Sequence, residues 1–152
     1  MAWNFELVAG PFKGRTGGLA WDGKGMLFSA VAEECIYRYD PASGKAEIFR
    51  KYTGRTNGLA FSADGSRLMT SGTDGFVKVW EVATGVETVR IPLDGVSDGH
   101  WLDEEHILVA TATGLWTTLT LDTDELTDLA RSRLTRYFTP EECTTYRIED
   151  CT

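Results

Sequence analysis

An all-β fold built of repeated four-stranded units is predicted by an internal repeat, by strand-sized segments of alternating polarity and by the turns between them. The segment Thr16–Trp21 (TGGLAW) returns 40 residues later as Thr56–Phe61 (TNGLAF), and a looser copy, Ser97–Leu102 (SDGHWL), follows after a further 41 residues. Units of about 40 residues with several short strands are typical of β-propeller blades. The sequence therefore predicts a propeller.

The strands within each unit follow in a constant order. The first unit continues with Met26–Val31, Cys35–Tyr39 and Ala46–Phe49, the second with Arg67–Ser71, Phe76–Trp80 and Val86–Ile91, and the third only with His106–Ala110 and Leu115–Leu121. One spare strand, Trp3–Val8, precedes the first unit. Because the spare strand and the missing strand are complementary, we expect strand exchange to complete the last blade, which closes a propeller without a free sheet edge.

The number of blades predicts a homodimer. Three blades per chain fall short of the roughly four to eight that propellers typically have. Two chains would give six blades, with each spare strand completing the partner's last blade. The alternative is a monomer that closes on three blades.

A short helical tail is expected after the last strand. Asp122–Glu125 places acidic groups where the first turn of a helix favours them, and that helix should run to about Arg133. Pro140 indicates a second short helix. The apolar residues of the first helix recur at helical spacing, so we expect them to pack on the rim of the propeller (Leu126, Leu129, Ala130 and Leu134).

Composition excludes several classes of function. The 152 residues include 23 acidic and 15 basic side chains, for a net charge of -8, which argues against nucleic acid as a partner. No apolar run approaches the roughly 18 residues of a membrane helix, and no signal peptide is apparent, so we expect no membrane association and cytoplasmic expression, with the compartment itself left open.

Three cysteines are present. Cys35 should be a small packed hydrophobe. Cys143 and Cys151 lie eight residues apart, so a disulfide between them is possible, although two free thiols are usual in the cytosol.

Residues 1–62 resemble the opening of the gluconolactonase and regucalcin-like six-bladed propellers, through the ordered motifs WNFELVAGPF, TGGLAWDG, RYDPASG and GRTNGLAF. Residues 63–152 are similar to the last blades of a bacterial WD-repeat protein, through SADGSRLMTSGTDGFVKVWEVATG and ARSRLTRYFTPEECTTY. The charge changes at this junction, from eight basic and six acidic groups before it to seven and seventeen after it. We therefore expect a chimeric, engineered half-propeller, although a natural fusion stays open, divided into lactonase-like blades (1–62), WD-repeat-like blades (63–121) and the helical tail (122–152).

The two resemblances imply different candidate residues. Likeness to WD-repeat proteins implies a hydrogen-bonded network of Ser71, Asp74 and Trp80. Likeness to the lactonases implies a metal at the channel mouth, but Gly17 replaces the first ligand. Asn57 matches a substrate-contacting position of that family, and the repeat places Asp98 at the same point of the third unit.

The resulting metal hypothesis is modest. Two copies each of Asn57 and Asp98 would suit calcium, which takes six to eight oxygen ligands. Asn-Gly and Asp-Gly are also common turn dipeptides, so the alternative is that Asn57 and Asp98 only form turns. We expect no required cofactor.

Three functions remain open. The leading hypothesis is a non-catalytic half-propeller that assembles with itself. Neither His100 nor His106 has a Ser or Cys arrangement around it that resembles a hydrolase motif. The alternatives are a residual metal-dependent sugar-lactone hydrolase or cation-binding protein, and a WD-repeat-type protein-interaction module.

Overall fold

The computed structural model describes residue 7, residues 9–51 and residues 53–147. Eleven strands and two α-helices follow one another in these ranges: β1 (Thr16–Trp21), β2 (Met26–Ala30), β3 (Cys35–Asp40), β4 (Lys45–Lys51), β5 (Thr56–Phe61), β6 (Arg67–Gly72), β7 (Phe76–Glu81), β8 (Glu87–Pro92), β9 (Val96–Trp101), β10 (His106–Thr111), β11 (Trp116–Thr120), α1 (Thr123–Arg133) and α2 (Pro140–Tyr146). A single 3-10 turn, Val31–Glu33, lies between β2 and β3.

The strands form three sheets in chain order, as expected of propeller blades. Blade 1 is β1-β2-β3-β4, blade 2 is β5-β6-β7-β8, and blade 3 is β9-β10-β11. Strands that follow one another in blades 1 and 2 pair antiparallel, as do β9 and β10. The predicted all-β propeller fold is therefore confirmed in its strand order, including a third blade that has three strands in the described part of the chain.

The blades stack through their first strands. Strand β5 lies against both β1 and β9, so blade 2 sits between blades 1 and 3. Alternate residues of each strand point to opposite faces, and the facing side chains of blades 1 and 2 form one apolar core. This core contains Ala20, Leu27 and Ile36 from blade 1 and Leu59, Leu68 and Trp80 from blade 2.

The spare strand predicted at Trp3–Val8 lies outside the described residues, apart from Leu7. Strand exchange therefore stays a prediction. Within the described chain, β11 pairs only with β10, so the other edge of β11 occupies the position that β4 and β8 cover in the first two blades.

Among the described residues, 120–147 belong to a separate compact unit that contains both helices. The predicted start of α1 is confirmed, because the Asp122 side chain accepts hydrogen bonds from the amides of Asp124 and Glu125. No residue of α1 is buried, and the packing of this helix on the propeller rim stays a prediction. Neither described helix is long and apolar enough to cross a membrane.

The second helix is held by its own N-terminus. Thr139 and Glu142 form a reciprocal capping box around Pro140, and Arg136 clamps the Glu142 carboxylate with two hydrogen bonds of 2.7 and 2.8 Å. Cys143 is buried on this helix, whereas Cys151 lies outside the described residues, so their pairing stays a prediction.

Candidate functional site

The first strands of the three blades bring the predicted channel-mouth residues side by side. A methyl group added at Gly17 would lie 3.3 Å from the backbone oxygen of Asn57. One added at Gly58 would lie 2.8 Å from Oδ1 of Asp98. Strands β1, β5 and β9 therefore lie side by side at these positions, and the channel-mouth site itself stays a prediction.

The third copy of the repeat is displaced by one residue from its expected register. In β5 the bulged residue is Asn57, because Thr56 pairs with Gly72 and Gly58 already pairs with Ser71. In β9 the corresponding bulged residue is Ser97, which lies between the paired Val96 and Asp98.

Ser97 is therefore the counterpart of Asn57, and Asp98 is the counterpart of Gly58. The expected equivalence of Asn57 and Asp98 is off by one position. The Asn-Gly and Asp-Gly dipeptides suggested that alignment, but the burial of Trp101 determines which face of β9 meets blade 2.

Within one chain, one side-chain oxygen of each predicted metal ligand already accepts a hydrogen bond. The Arg15 guanidinium donates a hydrogen bond of 2.8 Å to Oδ1 of Asn57, and Oδ1 of Asp98 accepts one of 2.8 Å from the Gly99 amide. Nowhere in the described ranges do three or more His, Cys, Asp or Glu side chains gather in a way that could hold a metal. A calcium site in an assembled ring remains a hypothesis.

Within the described residues, Ser71, Asp74 and Trp80 do not form one hydrogen-bonded network. Trp80 Nε1 donates to Thr70 Oγ1 at 3.0 Å, while Asp74 forms an ion pair of 2.5 Å with Lys78. The buried hydroxyl of Ser71 has no hydrogen-bond partner in the described part of the chain.

Lys78 is the structural residue that sequence reasoning missed. Its side chain is 7% exposed, and its ammonium group also donates to the backbone oxygen of Thr53 at 3.1 Å. A signal was present, since a lysine at an inward position of the alternating strand Phe76–Glu81 requires a carboxylate nearby, and Asp74 lies four residues earlier.

Cys35 is buried and not part of a disulfide, as the sequence predicted. Burial raises the pKa of its thiol, and the neighbouring Glu33 carboxylate adds to that rise. A protonated, buried thiol is a packing group and not a nucleophile.

Two cavities lie near the first strands. One, of about 390 Å³, is bordered by two cationic side chains, Arg15 and Arg55, together with Glu34. The other, of about 350 Å³, lies on blade 3, and we call it the blade 3 socket; its lining includes Leu59, Asp98, His100, Leu108, Ala110 and Trp116.

The two end blades each carry an open apolar face. On blade 1 the exposed fractions are 70% for Leu19, 53% for Trp21 and 44% for Ile48. On blade 3 the side chain of Trp116 is 68% exposed beside the half-buried Leu108. We call these surfaces the open face of blade 1 and the open face of blade 3.

No protein-family model matches the chain. The WD repeat-containing protein JIP5 of Phaeosphaeria nodorum is 38% identical over 71 residues, which cover 41% of this chain and 17% of that protein. Cilia- and flagella-associated protein 57 of Mus musculus is 32% identical over 74 residues (48% and 6%), and ribosome biogenesis protein erb1 of Aspergillus clavatus is 36% identical over 70 (44% and 9%). The chain thus spans less than a fifth of the length of these curated relatives.

Among solved structures, a propeller-like chain of hydrazine synthase from Kuenenia stuttgartiensis superposes with a TM-score of 0.58. The match covers 71% of this chain and 32% of that chain at 18% identity, which shows likeness of fold alone. The sheet order and this structural neighbour support a β-propeller fold, and the chain is similar to WD-repeat proteins over less than half of its length.

Proposed function

We propose that this chain is a non-catalytic protein-interaction module of the propeller type, and that its principal partner is a second copy of itself. Two copies would close a six-bladed ring, with the open face of blade 3 on each chain covering the open face of blade 1 on the other. Likeness to WD-repeat proteins supports an interaction role, and the open faces indicate where the interaction takes place.

The observation that carries this proposal is the contrast between the middle blade and the end blades. Successive residues Leu68 and Met69 of β6 are both fully buried, because blade 2 is covered on both faces. In β1, Ala20 is buried while Leu19 and Trp21 on either side of it are largely exposed. Leu19 and Trp21 therefore lack the cover that blade 2 has on both faces, whereas Phe12 packs on Phe28 and Tyr37 elsewhere on the same face of blade 1.

Charge favours a second copy as the missing cover. Residues 13–51, which include blade 1, contain seven Lys or Arg and five Asp or Glu. Residues 94–121, which include blade 3, contain five Asp or Glu and no Lys or Arg. A two-fold dimer would place each acidic blade against a basic one and would use the same contact twice.

Two further elements of the proposal come from the sequence. The strand Trp3–Val8 would complete the partner's blade 3 by pairing with the free edge of β11. The chimeric origin of residues 1–62 and 63–152 is supported by the two resemblances and by the change in charge at the junction.

The test is the mass of the chain in solution. Light scattering at micromolar concentrations should give twice the 16.8 kDa of one chain. Because the facing blades carry opposite charge, dissociation should increase with added salt. A stable monomer at these concentrations would overturn the proposal, even if the monomer bound some other protein.

A further inference from the structure

We infer that the blade 3 socket receives Leu19 and Trp21 of a second copy, and that the indole N–H of Trp21 donates a hydrogen bond to the backbone oxygen of the partner subunit's His100. This inference rests on the proposed ring. It adds to the ring a specific pair of side chains and the cavity that they fill.

The internal repeat supplies the template. With the corrected register, the inner strands carry aromatic residues at a constant spacing of 40: Trp21, Phe61 and Trp101. Trp101 of blade 3 is 6% exposed and donates from Nε1 to the backbone oxygen of Ala60 in blade 2, at 3.1 Å. Phe61 packs against the core between blades 2 and 1. Trp101 thus contacts the preceding blade directly, and Phe61 packs against the core that blade 2 shares with its preceding blade.

Trp21 has the same position in blade 1, but no preceding blade exists within the described residues. Its neighbour Leu19 corresponds to Leu59, which is buried in the core between blades 1 and 2. Leu19 and Trp21 remain 70% and 53% exposed. Their counterparts in blade 2, Leu59 and Phe61, lie in or against the core between blades 1 and 2, where a neighbouring blade covers them.

The open face of blade 3 carries the backbone oxygen and the apolar cavity that Trp21 would need. His100 pairs with Leu108 as Ala60 pairs with Met69, so His100 is the counterpart of the residue whose carbonyl accepts the hydrogen bond from Trp101. The socket of about 350 Å³ lies at this point, with apolar walls formed by Leu108, Ala110 and Trp116. The acidic charge of blade 3 also matches the basic charge around β1.

Single substitutions test each side of the contact through the dimer dissociation constant, measured by sedimentation equilibrium. An aromatic anchor in a well-packed pocket is typically worth at least about 2 kcal/mol, or roughly 30-fold in affinity. Since the two-fold dimer contains the contact twice, Trp21→Ala should weaken it by roughly 1,000-fold. Trp21→Phe, which keeps a ring and removes the N–H, should cause a smaller loss. Val86→Ala is the control, because Val86 is 56% exposed on a turn of the covered blade 2 and should leave the affinity unchanged.

A complementation experiment separates this inference from general damage to the fold. Ala110→Trp should fill the socket and prevent dimerisation, as Trp21→Ala does from the other side. Neither variant retains an intact contact in its own homodimer, but a mixture of the two restores one contact, between the intact Trp21 of one chain and the intact socket of the other. We therefore expect heterodimers in the mixture at concentrations where each variant alone is monomeric.

Three outcomes would overturn the inference, and only the last of them also refutes the ring. If Trp21→Ala and Ala110→Trp dimerised with wild-type affinity, the socket would play no part, while the proposed self-assembly would still stand. If the mixture formed no heterodimer although wild type dimerised, the assignment of Trp21 to the socket would be wrong. A wild-type monomer would refute the proposed function itself.

Discussion

The ion pair between Lys78 and Asp74 should be the polar contact on which blade 2 depends most. The Lys78 side chain is 7% exposed, and its ammonium group lies 2.5 Å from Oδ2 of Asp74. Removing one partner of a buried pair typically costs about 3–5 kcal/mol, because the remaining charge is left without compensation. Asp74 is 22% exposed, so water can partly replace its carboxylate, and we expect Asp74→Ala to lower the free energy of unfolding by about 3 kcal/mol.

Urea unfolding at a fixed protein concentration measures this loss, and a double-mutant cycle identifies its cause. Lys78→Met leaves a carboxylate that water can reach and should cost about 1 kcal/mol. The variant carrying both Asp74→Ala and Lys78→Met should then be more stable than Asp74→Ala alone, because no buried charge remains. An Asp74→Ala protein within about 1 kcal/mol of wild type, or a double variant less stable than both single variants, would refute the reasoning.

Three further predictions concern the core, the tail and the channel mouth. Leu68→Ala, at a fully buried position between blades 1 and 2, should lower the free energy of unfolding by about 2–5 kcal/mol in urea, whereas Leu102→Ala, at a position 55% exposed, should change it by less than about 0.5 kcal/mol. Hydrogen bonds from Arg136 and from the Thr139 amide lower the pKa of Glu142 to about 2 from its usual 4.5. The capping box should therefore stabilise α2 fully above about pH 4.5 and lose that effect as the pH falls towards 2. Circular dichroism should show this loss of helix, and Glu142→Gln should remove its dependence on pH. Calcium should leave the melting temperature unchanged, because Arg15 already donates to the Asn57 oxygen; a rise that Asp98→Asn abolishes would contradict this expectation and support the calcium site.

The strand order could be predicted from the sequence because local signals agree with the fold. Period-two segments such as Phe76–Glu81 and turn residues such as Asp74-Gly75 mark where each strand begins and ends. The repeat of Thr16–Trp21 at Thr56–Phe61 gave the blade period directly. These signals lie within the sequence of each blade, so no tertiary information was needed to read them.

The register of the third blade could not be predicted in the same way. Ser97–Leu102 can be aligned either by its Asp-Gly dipeptide or by its tryptophan, and the two alignments differ by one residue. A shift of one residue exchanges the two faces of a strand, so only packing decides between them. In the structure, burial of Trp101 against Ala60 makes that choice. The predicted pairing of Asn57 with Asp98 depended on the other alignment.

The polar partners of blade 2 also depend on packing. Thr70 and Ser71 are adjacent hydroxyl residues in β6, and they point to opposite faces. Trp80 lies on the same face as Thr70, so the hydrogen bond goes to Thr70 and not to Ser71. A resemblance between families names the residue types of a network, but the faces of the strands determine which of them meet.

Direct counting of blades in an experimental structure of the assembled protein tests the central claim most closely. Electron cryomicroscopy or crystallography should show six blades around one channel, with blade 3 of each chain covering blade 1 of the other and Trp21 in the partner's socket. A three-bladed monomer, or a dimer that leaves the open faces of Leu19 and Trp116 uncovered, would contradict the account.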